Sequence, residues 1–192
     1  MEYKKLIEVA KIKFCTITPS RSKPSIEPTK WLACANFLAD NVINLDFTTN
    51  NATPDDDWLL HKDDIVIKRI TPAFVNYIGQ IPPGTYCGNN LIIVTPKNQV
   101  DAKYLAMILN GQICSLSRDS SIGAVMKSVS RADLEELAIP IPDIKTQRTI
   151  GRIWYNGIEL KKKKVRLAEL ENIKTNFKLT KAIGMIGGQE NG

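Results

Sequence analysis

The sequence predicts an α+β fold in which an irregular, β-rich body with short helices precedes a long C-terminal helix of coiled-coil type. Two runs, Ile65–Ile67 and Leu91–Val94, are rich in β-branched residues and are bounded by polar or turn residues, which predicts buried strands. Residues 144–182 combine helix-forming residues with apolar side chains at helical spacing, which predicts the long helix. We therefore expect a body over residues 1–143, a helix over 144–183 and a disordered tail over 184–192.

The composition is that of a globular protein. The 192 residues are 43% hydrophobic and 24% charged, so the chain can bury a core. No apolar run approaches the roughly 20 residues that span a bilayer, and the first residues are too charged for a secretion signal. The single histidine, His61, and the absence of a C-x-x-C pair argue against a metal site and predict a cytoplasmic protein with reduced thiols. The four cysteines are Cys15, Cys34, Cys87 and Cys114.

The positive charge is concentrated in the C-terminal part of the chain. Residues 145–183 contain 11 Lys or Arg and three acids, whereas residues 1–144 contain 15 bases and 16 acids. A solvated helix face explains this distribution, and so does a helix that lies near nucleic acid or an acidic partner. Charge alone does not separate these two interpretations.

The first half of the body is predicted to be mainly extended. Leu6–Val9 fits a short helix or a strand, and Trp31–Leu38 is ambiguous between the two. Thr18–Thr29 is rich in Pro and Ser, which predicts a loop. Asn50–Asp57 is predicted to be a turn or a mobile loop, because Asn, Asp and Pro are typical of turns.

The second half of the body begins with a predicted helix that Asp101 caps. Ser130 and Asp133 have the spacing of a capping box, so another short helix should start there. The prolines in Ile139–Pro142 exclude helix and predict a strand. Asp143 can then cap the long helix. The apolar face of the Asp101 helix comprises Tyr104, Leu105, Ile108 and Leu109.

The segment that ends the body resembles the end of a target-recognition domain in the specificity (S) subunits of type I restriction–modification enzymes. The matching residues are Leu134, Leu137, Ile139–Pro142 and Gln147, and Thr146 stands where the family usually has Glu. Weaker matches in the same order are Trp31–Asp40, His61–Arg69, Gly88–Val94, Val100–Leu109, and Gly123 with Val129–Leu134. The resemblance implies a DNA-reading subunit without a catalytic centre or cofactor, which works with separate methyltransferase and restriction subunits. One recognition domain with one long helix is similar to half of such a subunit.

Residues that could contact DNA are expected in loops and at strand ends. Arg suits the edges of guanine, and Asn or Gln suits adenine. Taken singly, each such residue also fits an ordinary surface position. The candidates are Arg21, Lys23, Lys68, Arg69, Tyr86, Asn89, Asn90, Arg118 and Lys127.

The long helix carries apolar residues at heptad spacing, which predicts a partner helix and a homodimer. A helix of about 35 residues is about 50 Å long, more than a small domain needs. Packing on its own domain is the alternative. The predicted contact residues are Ile153, Leu160, Leu167, Leu170 and Phe177, and the basic patch beside them comprises Lys161, Lys162, Lys163 and Lys164.

No catalytic motif is recognisable. The chain has no phosphate-binding glycine loop, no dinucleotide fingerprint and no methyltransferase N/D-P-P-Y/F segment. The acidic residues Asp55–Asp57 and Asp63–Asp64 are better explained as solvated turns than as a magnesium site. The main alternative is an adaptor that keeps the fold and acts through helix-mediated protein contacts. A metal-dependent nuclease is the least favoured interpretation.

Overall fold

The computed structural model describes residues 2–16, 23–53, 56–70, 72–118 and 129–187. Two compact units are present, Met1–Trp154 and Tyr155–Gly192. The strands are β1 (Glu2–Lys5), β2 (Ala10–Cys15), β3 (Lys23–Leu32), β4 (Phe37–Leu38), β5 (Val42–Ile43), β6 (Thr48–Thr53), β7 (Ile65–Lys68), β8 (Val75–Tyr77), β9 (Thr85–Cys87), β10 (Leu91–Pro96) and β11 (Ala138–Ile141). The helices are α1 (Leu6–Val9), α2 (Ala102–Arg118), α3 (Arg131–Glu135) and α4 (Ile144–Gly187).

A four-stranded antiparallel sheet in the order β2-β10-β7-β8 forms the centre of the first unit. Its two inner strands are the predicted runs Ile65–Ile67 and Leu91–Val94, and the residues of both runs are buried. Inner strands have neighbours on both sides, and these two bury both faces as well, which explains their continuous apolar sequence.

A second sheet, in the order β6-β3-β9, corrects two predictions. Lys23–Thr29, expected in a loop, belongs to β3, and Asn50–Thr53, expected in a turn or loop, belongs to β6. The pairing between these strands shifts register between Pro24 and Thr29. Prolines are tolerated at such irregularities because the missing N–H interrupts little of the ladder.

The ambiguous segment Trp31–Leu38 contains both kinds of structure. β3 ends at Leu32, a 3-10 turn covers Cys34–Asn36, and β4 follows at once. Trp31, Leu32 and Phe37 are buried in one cluster of apolar side chains with residues of the central sheet such as Val66 and Ile93. Burial of three large side chains from one short segment anchors it to the core.

The proline-containing segment forms a strand, as predicted. β11 pairs antiparallel with β1, with Pro140 opposite Tyr3. α3 precedes this strand, and the Ser130 hydroxyl accepts a hydrogen bond from the N–H of Asp133 at 3.1 Å. The prediction that a helix starts at Ser130 is therefore confirmed, and Leu134 of this helix is fully buried.

The two longer helices begin at the predicted caps. Asp101 accepts a hydrogen bond from the N–H of Tyr104 at 2.9 Å. Asp143 accepts hydrogen bonds from the N–H groups of Lys145 and Thr146, each at 3.0 Å. α4 continues to Gly187, four residues beyond the predicted end at 183, and residues 188–192 of the predicted tail lie outside the described residues. No helix in the described ranges has the length and apolar character needed to cross a membrane.

Candidate nucleic-acid interface

The last residues of β2 and β7 and the first residue of β10 lie at one edge of the central sheet, and the candidate residues Lys68, Arg69 and Asn90 lie there. Leu91, the first residue of β10, pairs with both Cys15 and Lys68, the last residues of β2 and β7. Antiparallel pairing places the residues just beyond these positions side by side. Arg69 and Asn90 are therefore neighbours, although 20 residues separate them in the sequence.

Arg69 connects three parts of the chain at this edge. Its backbone N–H donates to the carbonyl of Asn90 at 3.0 Å. Its side-chain Nε donates to the carbonyl of Val129 at 3.1 Å, and its own carbonyl accepts from the N–H of Val129 at 3.2 Å. The side chain is half-buried. Arg69 therefore has a structural role in addition to the predicted role in DNA contact.

Asn90 occupies a tight turn that precedes β10. Its φ of 61° lies in the left-handed region, which Asn tolerates better than most residues. Its N–H donates to the carbonyl of Cys15 at 3.1 Å, and its carbonyl also accepts from the Cys34 thiol at 3.3 Å. The backbone of Asn90 is thus held on two sides, while the side chains of Asn89 and Asn90 are partly exposed.

Lys68 and Tyr86 are less available than the sequence indicated. The Lys68 ammonium lies 5.3 Å from the centre of the Phe74 ring, a cation–π geometry. Tyr86 is half-buried, and its ring centre lies 5.8 Å from that of Trp31 with the planes tilted by 37°. Tyr86 therefore contributes to the core as well as to the surface near Asn89.

The remaining loop candidates are only partly described. Arg21 and Lys127 lie outside the described residues. The backbone places Lys23 at the start of β3 and Arg118 at the end of α2. Their roles remain predictions.

The predicted partner face of α4 is exposed to solvent. Its five apolar residues are between 46% and 70% exposed. In the basic patch, Lys161, Lys163 and Lys164 are exposed, and Lys162 forms an ion pair with Glu159 at 2.9 Å. The exposed apolar residues are Ile153, Leu160, Leu167, Leu170 and Phe177.

The acidic residues near the strand ends are engaged by the chain itself. Asp57 accepts ion pairs from Lys13 at 2.8 Å and from Lys11 at 3.4 Å, and these cations lower the pKa of its carboxyl group. Asp64 is buried and accepts a hydrogen bond from the N–H of His61 at 2.7 Å. Across the described ranges, no cluster of three or more His, Cys, Asp or Glu side chains could hold a metal ion.

The cysteines near this edge carry no activated thiol. Burial raises the pKa of the Cys34 thiol, and the charge of Lys68 acts in the opposite direction. Burial also raises the pKa of Cys87 well above its usual value, and a hydrogen bond with Cys15 acts in the same direction. Thiols with raised pKa values are poor nucleophiles at neutral pH.

Three buried asparagines, which no sequence pattern identified, fix the β4–β5 hairpin: Asn36 closes it, and Asn41 and Asn76 join it to β8 of the central sheet. Asn36 donates to the carbonyls of Asn44 and Asp46 at 2.9 and 3.0 Å. Asn76 donates to the carbonyls of Leu38 and Val42 at 3.0 and 3.2 Å. Asn41 donates to the carbonyl of Tyr77 at 3.3 Å. Asparagine in irregular sequence predicts a turn, so no local signal identifies this role.

The chain belongs to the family of type I restriction modification DNA specificity domains, because the model of that family matches residues 1–172. This match confirms the resemblance carried by Ile139–Pro142 and Gln147. A search of curated proteins finds no match.

Solved structures share the fold. A chain from work on complex assembly and conformational transition of the type I R-M system matches with a TM-score of 0.67, 18% identity, and coverage of 89% of this chain and 41% of that chain. The HsdS subunit from Thermoanaerobacter tengcongensis gives a TM-score of 0.62 and 18% identity, with coverage of 83% of this chain and 37% of that chain. The type I S subunit from M. genitalium gives a TM-score of 0.54 and 16% identity, with coverage of 85% of this chain and 41% of that chain. The α+β fold with a long C-terminal helix is thereby confirmed, and the chain spans about two fifths of the solved chains.

Proposed function

We propose that this chain acts as the sequence-specific DNA-binding specificity subunit of a type I restriction–modification system. The observation that carries the proposal is the convergence of Lys68, Arg69, Asn89 and Asn90 at one edge of the central sheet, in a chain of this family. Cationic and amide side chains together can hold phosphates and read base edges. The partners we propose are double-stranded DNA, a methyltransferase subunit and a restriction subunit.

We further propose that two copies pair through α4 as a coiled coil. The exposed residues Leu160 and Leu167 support this proposal, because apolar seams of this kind are normally covered by another helix. A C2 homodimer would present two recognition units, and the chain spans about two fifths of the solved chains it matches. The binding of two DNA half-sites follows from this arrangement.

In this proposal the subunit is not an enzyme and needs no cofactor. The partner subunits supply methyl transfer and cleavage in the cytoplasm, where the cellular DNA lies. The engagement of Asp57 and Asp64 by the chain itself and the raised pKa values of Cys34 and Cys87 support a binding role.

The test is reconstitution with the methyltransferase subunit from the same source. The purified chain is first incubated with a random duplex library, and the bound duplexes are sequenced to find an enriched motif. Methyl incorporation is then measured on the enriched duplex and on a scrambled duplex, with each protein alone and with both together. We expect methylation of the enriched duplex only with both proteins. No enriched motif and no dependence of methylation on this chain would contradict the proposal and favour an adaptor.

A further inference from the structure

A basic groove lies at the opposite end of β10 from the candidate nucleic-acid interface. Asn90 precedes this strand, whereas Thr95, Pro96 and Lys97 at its other end line the groove. A strand of six residues spans about 20 Å. The groove, which has a volume of about 790 Å³, therefore lies about 20 Å from the candidate nucleic-acid interface and is a separate surface.

Cations outnumber acids on the walls of this groove. The cations are Lys62, Lys97, Lys103 and Arg148, and the acids are Asp63 and Asp101.

The chain itself engages both acids of the groove, and Lys97 is among the cations that it engages. Asp63 accepts a hydrogen bond from the Tyr77 hydroxyl at 2.5 Å, and Asp101 caps α2 by accepting from the N–H of Tyr104. Lys97 donates to the carbonyls at the C-terminal end of α1.

Lys62, Lys103 and Arg148 supply the other positive charges of the groove. Lys62 and Arg148 are exposed, and the Lys103 ammonium lies 5.7 Å from the centre of the Tyr77 ring. These three side chains give the groove a positive surface that suits carboxylate groups.

An apolar groove adjoins the basic one. It has a volume of about 550 Å³, and Lys62 lines both grooves. The N–H of Asp63 donates to the carbonyl of Ile78 at 2.8 Å, which fixes the Lys62 turn beside the segment that leads to Gly79. The apolar lining residues are Leu45, Ile81 and Pro82.

We propose that the two grooves together bind a segment of a protein partner that carries acidic and apolar side chains. Its carboxylates contact Lys62, Lys103 and Arg148, and its apolar side chains lie on Leu45, which is 46% exposed, and on Ile81. The apolar half favours a protein over DNA, because protein interfaces combine an apolar centre with a polar rim whereas DNA presents phosphates. This inference does not depend on the proposed DNA recognition.

The test uses the full chain and a fluorescein-labelled synthetic peptide in which Glu and Leu alternate. We expect binding by fluorescence anisotropy, and about tenfold weaker binding by the Lys62→Gln/Arg148→Gln variant. The matched control, Lys174→Gln/Lys178→Gln, removes two exposed lysines of α4 outside the basic patch and should leave the affinity within about twofold. Leu45→Ser should weaken binding, whereas Leu38→Ser, which changes a leucine of similar exposure outside the groove, should not. Circular dichroism confirms that each variant is folded.

Several outcomes overturn the proposal. The first is no binding at millimolar peptide. The second is an equal loss of peptide affinity in the groove variant and in the control variant. The third is that a peptide with Ser in place of Leu binds as tightly as the Glu/Leu peptide. A labelled random duplex provides the nucleic-acid comparison. If the duplex displaces the peptide and loses affinity in the Lys62→Gln/Arg148→Gln variant, the groove is a DNA-phosphate surface and the protein-partner proposal is wrong.

Discussion

The side-chain oxygen of Gln147 accepts a hydrogen bond from the backbone N–H of Asp101 at 3.0 Å, and this bond joins the start of α4 to the start of α2. The Gln147 amide nitrogen donates to the carbonyl of Pro142 at 2.8 Å and to that of Gln99 at 3.4 Å. Gln147 is only 1% exposed. One buried side chain therefore satisfies three backbone groups from two segments, the turn before α2 and the residue before the cap of α4, which gives the motif glutamine a structural explanation.

Replacing Gln147 with Ala should lower the free energy of unfolding by about 1–3 kcal/mol, because it leaves buried backbone groups without partners. Urea denaturation followed by circular dichroism measures the change. The control is Gln80→Ala, an exposed glutamine, which should change stability by less than about 0.5 kcal/mol. Equal effects of the two substitutions would contradict the role of Gln147.

Gly151 should not tolerate a side chain, whereas Gly157 should. A Cβ atom at Gly151 would lie 2.6 Å from the backbone nitrogen of Tyr104 and 2.7 Å from the Asp101 carboxylate. We expect Gly151→Ala to destabilise the protein by about 1–3 kcal/mol. No described atom outside the local helix backbone lies within 4 Å of a Cβ at Gly157. Gly157→Ala should therefore stabilise α4 by about 0.5–1 kcal/mol. Thermal unfolding measures the stability of both variants. A stabilising Gly151→Ala would show that α4 moves away from the start of α2 at little cost.

The double substitution Leu160→Glu/Leu167→Glu should convert the proposed homodimer to monomer, because it places two charges in the apolar seam. Sedimentation at tens of micromolar protein measures the assembly state. Val165→Glu/Leu179→Glu is the matched control, since these exposed residues occupy the opposite side of the heptad. Wild-type protein that is monomeric would count against pairing, and dissociation by the control alone would place the contact on the other face.

Asn89 and Asn90 should contribute to the discrimination between target and random DNA. Asn89→Ala and Asn90→Gly each remove an amide, and glycine keeps the left-handed backbone of Asn90 without strain. We expect each change to cost about 1–3 kcal/mol on the target sequence if the residue reads a base. Fluorescence anisotropy with target and scrambled duplexes measures the ratio of the two affinities. If this ratio is unchanged in both variants, these side chains do not read the sequence.

The basic patch of α4 should set the salt dependence of DNA binding. Replacement of Lys161–Lys164 by Gln should weaken binding to target and random duplexes alike, and should reduce the slope of log K against log salt by about 0.9 per lost phosphate contact. The comparison variant replaces Lys174, Lys178 and Lys181, which lie further along the helix, and should have a smaller effect. An unchanged slope after replacement of the patch would indicate that this side of α4 faces protein.

The sequence by itself determined the elements whose signals are local. Caps at Ser130, Asp101 and Asp143 define helix starts through hydrogen bonds over a few residues. Continuous β-branched runs such as Ile65–Ile67 predict buried strands for a similarly local reason, because burial on both faces requires apolar residues throughout. These features and the order of the family motif were sufficient to predict the fold class and the family.

Only the tertiary structure decided which distant residues meet. Lys23–Thr29 forms a strand because Thr48–Thr53 pairs with it, although its two prolines and its serine locally favour a loop. Arg69 and Asn90 become neighbours through the register of two strands, and Gln147 meets Asp101 across 46 residues. Such contacts depend on how the elements pack in three dimensions, and no spacing within the sequence records that packing.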